Sequence, residues 1–303
     1  MRPTADGVHR PRDHPLGGRH WGETRGTTAG TRLVRVPVVD PDLDLDADLA
    51  ALRPLGGFFP LRTGPFPPEH PGGSVPRRPP TLAETYEGAT AQTHEGEPPD
   101  LVRNAVHLRV ATVAERLGTA EPRVAASIAQ QGLAARLWSV ALGCAVLYGR
   151  TPDLHPRLLR WDPLAPAPDD LWLSGPRPLP GTADAVAGTV LHAHLEPLTA
   201  ALRARYGVAA GLLWGNAGSA LAATARELNR WARAQGRTDV AARARTLTGE
   251  LFTHPLLRAT GVRAGTAFRR RSCCLYYRVP GGGLCGDCCF TRPPCSSPRA
   301  PSE

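Results

Sequence analysis

Residues 124–149 read VAASIAQQGLAARLWSVALGCAVLYG. Within them Leu133, Leu137, Val140, Cys144 and Leu147 recur at spacings of four, three, four and three, which is one apolar stripe on a helix. Gly149 supplies the stop, since a glycine takes the left-handed conformation that ends helices without a Cβ penalty. Cys144 lies inside the stripe and reads as a small core residue rather than a reactive thiol. The mainly apolar run Leu137–Tyr148 is well short of the ~20 residues that a membrane-spanning helix needs. This stretch sets the fold class: a mainly α chain.

Working outward, a shorter helix is expected over residues 101–117, ending at Gly118. On the other side, residues 150–181 hold eight prolines, which predicts a crossing loop with one short strand at Leu171–Leu173. Thr182 can cap a further helix running to Tyr206 and Gly207, kinked at Pro197. His192 and His194 are two apart on it, face different ways, and cannot form an i, i+4 metal pair. The next helix is expected to begin after Asn216, with Leu221, Leu228 and Trp231 inward, and another covers about 239–253. Trp214, Gly215 and Asn216 then read as a helix start: Asn as N-cap, Gly for the turn, Trp as a staple. A second reading places Trp214 and Asn216 beside a substrate.

The rest of the chain is less regular. Residues 1–30 read as a disordered tail in which His9, His14 and His20 are solvated. Residues 31–100 read as an extended, Pro/Gly-rich region, with an edge strand at 31–39 (TRLVRVPVV) and a long loop from Pro54 to Pro80. The expected layout is therefore a tail (1–30), an extended region (31–100), a helical domain (101–260) and a small irregular Cys-rich segment (261–303).

Composition narrows the function. The 303 residues suit about two domains of roughly 150 residues, and 42% hydrophobic with 21% charged is a globular balance. The formal charge is +9, and every one of the 36 basic residues is Arg. The excess sits at the ends. Residues 1–35 carry seven Arg against Asp6, Asp13 and Glu23, and residues 251–303 carry eight Arg against Asp287 and Glu303. The stretch between is near neutral, and no zinc-finger spacing or basic heptad region accompanies the arginines, so nucleic acid is not the expected partner. Prolines and acids interrupt any signal-peptide core at the N-terminus, so the chain reads as cytoplasmic, either free or resting on the inner face of the membrane. In that compartment clustered cysteines mean metal or redox chemistry.

Six of the seven cysteines fall between 273 and 295, in RRRSCCLYYRVPGGGLCGDCCFTRPPC. Cys273 and Cys274 are adjacent, ten residues follow, and Cys285 and Cys288 form a C-x2-C pair around Gly286. Four thiolates in two groups can hold a four-cysteine zinc or a 2Fe–2S centre. Adjacent cysteines diverge in most backbone conformations, which suits two irons better than one tetrahedral zinc. Arg269, Arg270, Arg271 and Arg278 flank the first pair and can offset the negative charge of an iron–sulfur centre and raise its potential.

The spacing C-C-x10-C-x2-C near a C-terminus, within RRSCCLYYRVPGGGLCGDC, resembles the FhuF-type siderophore-iron reductases, and LLWGN at 212–216 resembles a second motif of that family. The resemblance implies a 2Fe–2S cluster on Cys273, Cys274, Cys285 and Cys288. It also implies a cytoplasmic oxidoreductase that reduces Fe(III) in hydroxamate-type siderophores. Cys289 and Cys295 depart from the pattern; each is an alternative ligand, but both are expected to be spare, since Cys289 follows Cys288 directly and should point away from the same iron. No G-x-G-x-x-G after a strand, P-loop or G-x-S-x-G is present, so electrons are expected from a separate ferredoxin- or flavodoxin-type donor. The rival readings are a zinc-stabilised interaction protein without redox activity and, further off, a synthetase-like enzyme of siderophore metabolism.

Overall fold

A computed structural model describes residues 45–64, 78–90 and 101–294. The expected tail and edge strand lie outside these residues, as do residues 65–77 of the expected loop and Cys295. All described residues belong to one unit, Val36–Glu303.

The region expected to be extended contains two helices, α1 (Leu45–Ala51) and α2 (Leu82–Thr90). Each has a local cause. Leu49 and Leu52 are fully buried on one face of α1 and the turn after it. At α2, Thr81 and Glu84 form a capping box: Glu84 N–H donates to Thr81 Oγ1 at 3.2 Å, and Thr81 N–H donates to Glu84 Oε2 at 2.7 Å. The density of proline around these segments hid them. Between them the two-residue strand β1 (Arg62–Thr63) joins a small sheet.

α3 (Leu101–Leu117) ends at Gly118, φ +59°, as the spacing predicts. α4 (Pro122–Tyr148), about 40 Å long at 1.5 Å per residue, is the axis of the fold. Its expected stripe is buried, but so is nearly every other position from Leu133 to Leu147, so neighbours cover it on all sides. Gly149 closes it at φ +70°, donating to Ala145 O at 3.1 Å. Cys144 is fully enclosed and burial pushes its thiol far up, consistent with a core role.

The proline-rich connection carries four short strands rather than one: β2 (Arg150–Pro152), β3 (Leu159–Trp161), β4 (Leu171–Leu173) and β5 (Pro178–Pro180). β4 pairs in parallel with β1 and antiparallel with β3, while β2 pairs antiparallel with β5. Burial alternates along β3 and β4, so side chains on one face pack on the helices. Arg136, 1% exposed, fastens this connection to α4: it donates to Asp170 Oδ1 at 3.0 Å, to Pro168 O at 3.2 Å and to Phe58 O.

Thr182 caps α5 (Ala183–Ala187), accepting from Ala185 N–H at 3.3 Å. A π-helical stretch, Gly188–Leu195, leads into α6 (Glu196–Tyr206) with Pro197 in its first turn. His194 lies inward and His192 outward, as their spacing requires. His194 Nε2–H faces the carbonyl of Leu154 at 2.6 Å, so its Nδ1 accepts from the Tyr86 hydroxyl at 3.0 Å.

α7 (Ala210–Ala234) begins well before Asn216, the expected N-cap, and Ala209 takes that place instead. Trp214, Gly215 and Asn216 are thus inside a helix and do not start one. The glycine is there for a close approach, described below. α8 (Thr238–Leu251) follows, then the hairpin β6 (Gly261–Ala264) and β7 (Ala267–Arg270). α7 makes its most extensive packing with α4, including Trp138 Nε1–H to Ala217 O at 3.1 Å. No helix among the described residues is long and apolar enough to cross a membrane.

Candidate iron–sulfur site

The hairpin delivers the cysteine segment onto α7. Alternation along β7 turns Phe268 and Arg270 inward. α7 receives them with a small-residue stripe, Gly211, Gly215 and Gly218. A Cβ at Gly215 would collide with Ser272 Oγ, and one at Gly218 would lie 2.5 Å from Thr260 Oγ1. Ser272 Oγ donates to the Gly211 carbonyl at 2.9 Å. Gly215, which reads as a turn residue in the sequence, is with Gly218 the ground on which the hairpin and the cysteine segment sit.

Four polar ties then fix that segment. Ser127 on α4 donates to Cys274 O at 2.8 Å. Asn216 donates to Ser127 O at 2.9 Å and Oγ at 3.1 Å, while its Oδ1 accepts from Arg270 Nη2. Asp287, between the cysteines of the C-x2-C pair, accepts from Ser219 Oγ at 2.7 Å and pairs with Arg226 at 3.0 Å. Arg278 pairs with Glu121 at 2.8 Å. Asn216 is fully enclosed, with both ends of its amide occupied by protein groups. Trp214 is half-buried against the core.

Backbone turns present the thiols. Leu275 takes φ +68°, a left-handed conformation costing about 1 kcal/mol for an L-residue, and its N–H donates to Cys273 Sγ at 3.2 Å. Gly281 at φ +68° and Gly282, where a Cβ would lie 2.6 Å from Tyr276 O, bring the chain back. Cys288 N–H closes the last turn on Cys285 O at 3.0 Å.

The thiols approach one another in pairs. Cys285 beside it brings the Cys274 thiol down to about 6, opposed by burial and aided by the Tyr276 N–H and the Arg270 charge. Cys274 and burial together drive Cys285 upward. Burial raises Cys273 to about 11, and the nearby Cys274, Cys289 and Cys288 add to the rise. Cys289 is raised by burial and by the neighbouring Cys288. Although expected to point away, Cys289 lies near enough to Cys273 to raise it. Crowded thiolates suppress one another's ionisation until a cation is placed among them. No three His, Cys, Asp or Glu among the described residues converge on a single-ion position. A donor set made only of soft sulfurs suits an iron–sulfur group.

Residues 130–263 match a family model described as ferric iron reductase FhuF-like transporter, and residues 270–290 match one described as FhuF 2Fe-2S C-terminal domain. The first match spans α4 to the hairpin and the second spans the cysteine turns, so the two halves of the site fall in the two matches. No curated protein matches the chain.

Proposed function

Because the chain belongs to the FhuF-like ferric iron reductase family and carries that family's 2Fe–2S domain, we propose that it transfers one electron to Fe(III) held in a hydroxamate-type siderophore, releasing Fe(II). The observation that carries this reading is the match of residues 270–290 to the family's 2Fe–2S domain, a segment that Arg270, Ser272 and Asp287 tie onto α7. These four are the proposed ligands. When bound, the cluster supplies an electron at a potential of about −400 mV for all-cysteine centres of plant type.

The chemistry at the substrate is a matter of ligand hardness. Hydroxamate oxygens hold Fe(III) firmly, and the added electron makes a softer, more labile Fe(II) that leaves. The protein needs no general base or nucleophile for this. It needs a buried redox centre near a surface open to two partners. Cys273, Cys285, Cys288 and Cys289 are only partly buried, so the centre lies close to solvent. Arg269, Arg271 and Arg292 around it complement an acidic ferredoxin- or flavodoxin-type donor, which stands in for a nucleotide-binding motif that the sequence lacks. Trp214 remains the candidate for substrate contact. Asn216 is enclosed and acts through Arg270 instead. On this reading the reaction runs on the cytoplasmic side.

The test is a turnover in pieces. Protein purified without oxygen is reduced with dithionite, and the visible bands bleach as the EPR signal of a one-electron-reduced 2Fe–2S centre appears. Ferric hydroxamate should restore the oxidised spectrum while a ferrous chelator takes up iron. Reoxidation no faster than in buffer would leave an electron carrier or sensor in place of a reductase.

A further inference from the structure

Arg270 is 2% exposed at the end of β7. Only one of its guanidinium nitrogens is used: Nη2 donates to Asn216 Oδ1 and to Leu212 O at 3.3 Å. Nε and Nη1 are buried with no partner. No carboxylate among the described residues pairs with it, since Asp287, whose backbone carbonyl accepts from Arg270 N–H, gives its carboxylate to Arg226 and Ser219. The neighbouring arginines are engaged elsewhere: Arg269 donates to Cys289 O at 3.0 Å and Arg278 pairs with Glu121. A buried cation with two idle donors and no counter-charge is costly and calls for a missing acceptor. The groups its charge reaches are Cys274, Cys285 and Cys289.

We propose that Arg270 is the fixed counter-charge of the cluster, a positioning residue whose free Nε–H and Nη1–H take the cluster's sulfur as acceptor and favour its reduced form. The proposal rests on the reading that the cysteines hold a 2Fe–2S group. Such a group carries about −2 when oxidised and about −3 when reduced, so a buried cation stabilises the added electron and raises the potential. Asn216 and Ser127 form the strut behind the guanidinium and fix its approach. This gives the LLWGN stretch a role that needs no contact with substrate.

The experiment compares wild type, Arg270→Gln, Arg270→Lys and the surface control Arg258→Gln, loaded anaerobically and titrated for midpoint potential by EPR. Arg270→Gln should shift the one-electron equilibrium toward the oxidised form by tenfold or more, which is about 59 mV. Arg270→Lys should recover at least half of that shift, and Arg258→Gln should match wild type. If Arg270→Gln fails to load while its apo form keeps the wild-type circular dichroism and melting point, and Lys restores loading, the counter-charge role also stands. Arg270→Gln with an unchanged potential overturns it. So does loss of the apo fold in both Arg270 variants, which would make the residue a strut and nothing more. Failure of wild type to bind two irons per chain would instead sink the cluster reading beneath it.

Discussion

At the residue scale, the fifth thiol decides how tolerant the centre is. Cys289 lies beside Cys288 and raises Cys273 by proximity, so it can substitute where its neighbour is lost. Cys274, buried, and Cys285, half-buried beside it, have no such stand-in among the described residues. Serine at 274 or 285 should therefore remove most of the iron. Cys288→Ser should keep a coloured but spectrally shifted centre, Cys289→Ser should resemble wild type, and the double Cys288→Ser/Cys289→Ser variant should be colourless. Iron content and visible absorbance of the anaerobically purified variants check this. Iron loss in Cys289→Ser, with Cys288→Ser unaltered, would move the fourth ligand to 289.

Among the elements, the π-helical stretch before α6 carries the clearest pH response. His194 is fully enclosed and burial holds it down at about 4, against an ordinary value near 6.5. The unfolded chain binds the proton first, so His194 stabilises the fold above about pH 6.5 and that contribution is lost as pH falls toward 4. The full shift is worth about 3 kcal/mol at 1.36 kcal/mol per unit. His107 and His254 are also lowered, by burial first, and add smaller slopes of the same sign. Melting temperature of the apo protein should drop between pH 6.5 and 4, and His194→Asn should flatten much of that slope. A slope unchanged in the variant would point to the carboxylates instead. Element by element, the sequence was most readable where period and punctuation agreed. α3, α4 and the Thr182-capped α5 announced themselves through spacing, a cap or a terminal glycine. α1 and α2 did not, because a single buried turn or a capping box is easily lost among prolines. α7 was misread at its start for a physical reason. Gly215 before Asn216 looks like a helix start in one dimension, and only the packed hairpin reveals that Gly215 and Gly218 are cut away to admit Ser272, Thr260 and Phe268.

For the whole molecule, the cysteine segment is a docked surface and not an appendage. Its ties reach α4 at Ser127, α7 at Asn216 and Ser219, and the start of α4 at Glu121. The cysteine spacing was legible because chelating turns are local, whereas these ties join residues far apart in the chain and leave no periodic trace. Asp287 is the tie that tests the idea, since it belongs to the C-x2-C turn but is no ligand. Its carboxylate is buried between Ser219 Oγ at 2.7 Å and Arg226 at 3.0 Å. Asp287→Ala strands both donors and should cost about 2 kcal/mol, kept modest because Arg226 is part-exposed and can turn to water. If the helical body holds the turn in place, that loss should appear as faster removal of iron by an external chelator, several-fold over wild type. It should also appear as faster amide exchange at residues 285–289, with the helical circular dichroism preserved. Asp287→Asn, which keeps an acceptor for Ser219, should fall between the two. Equal chelation rates in all three proteins would mean that the cysteines hold their own loop, and that α7 is a neighbour of the centre without being its support.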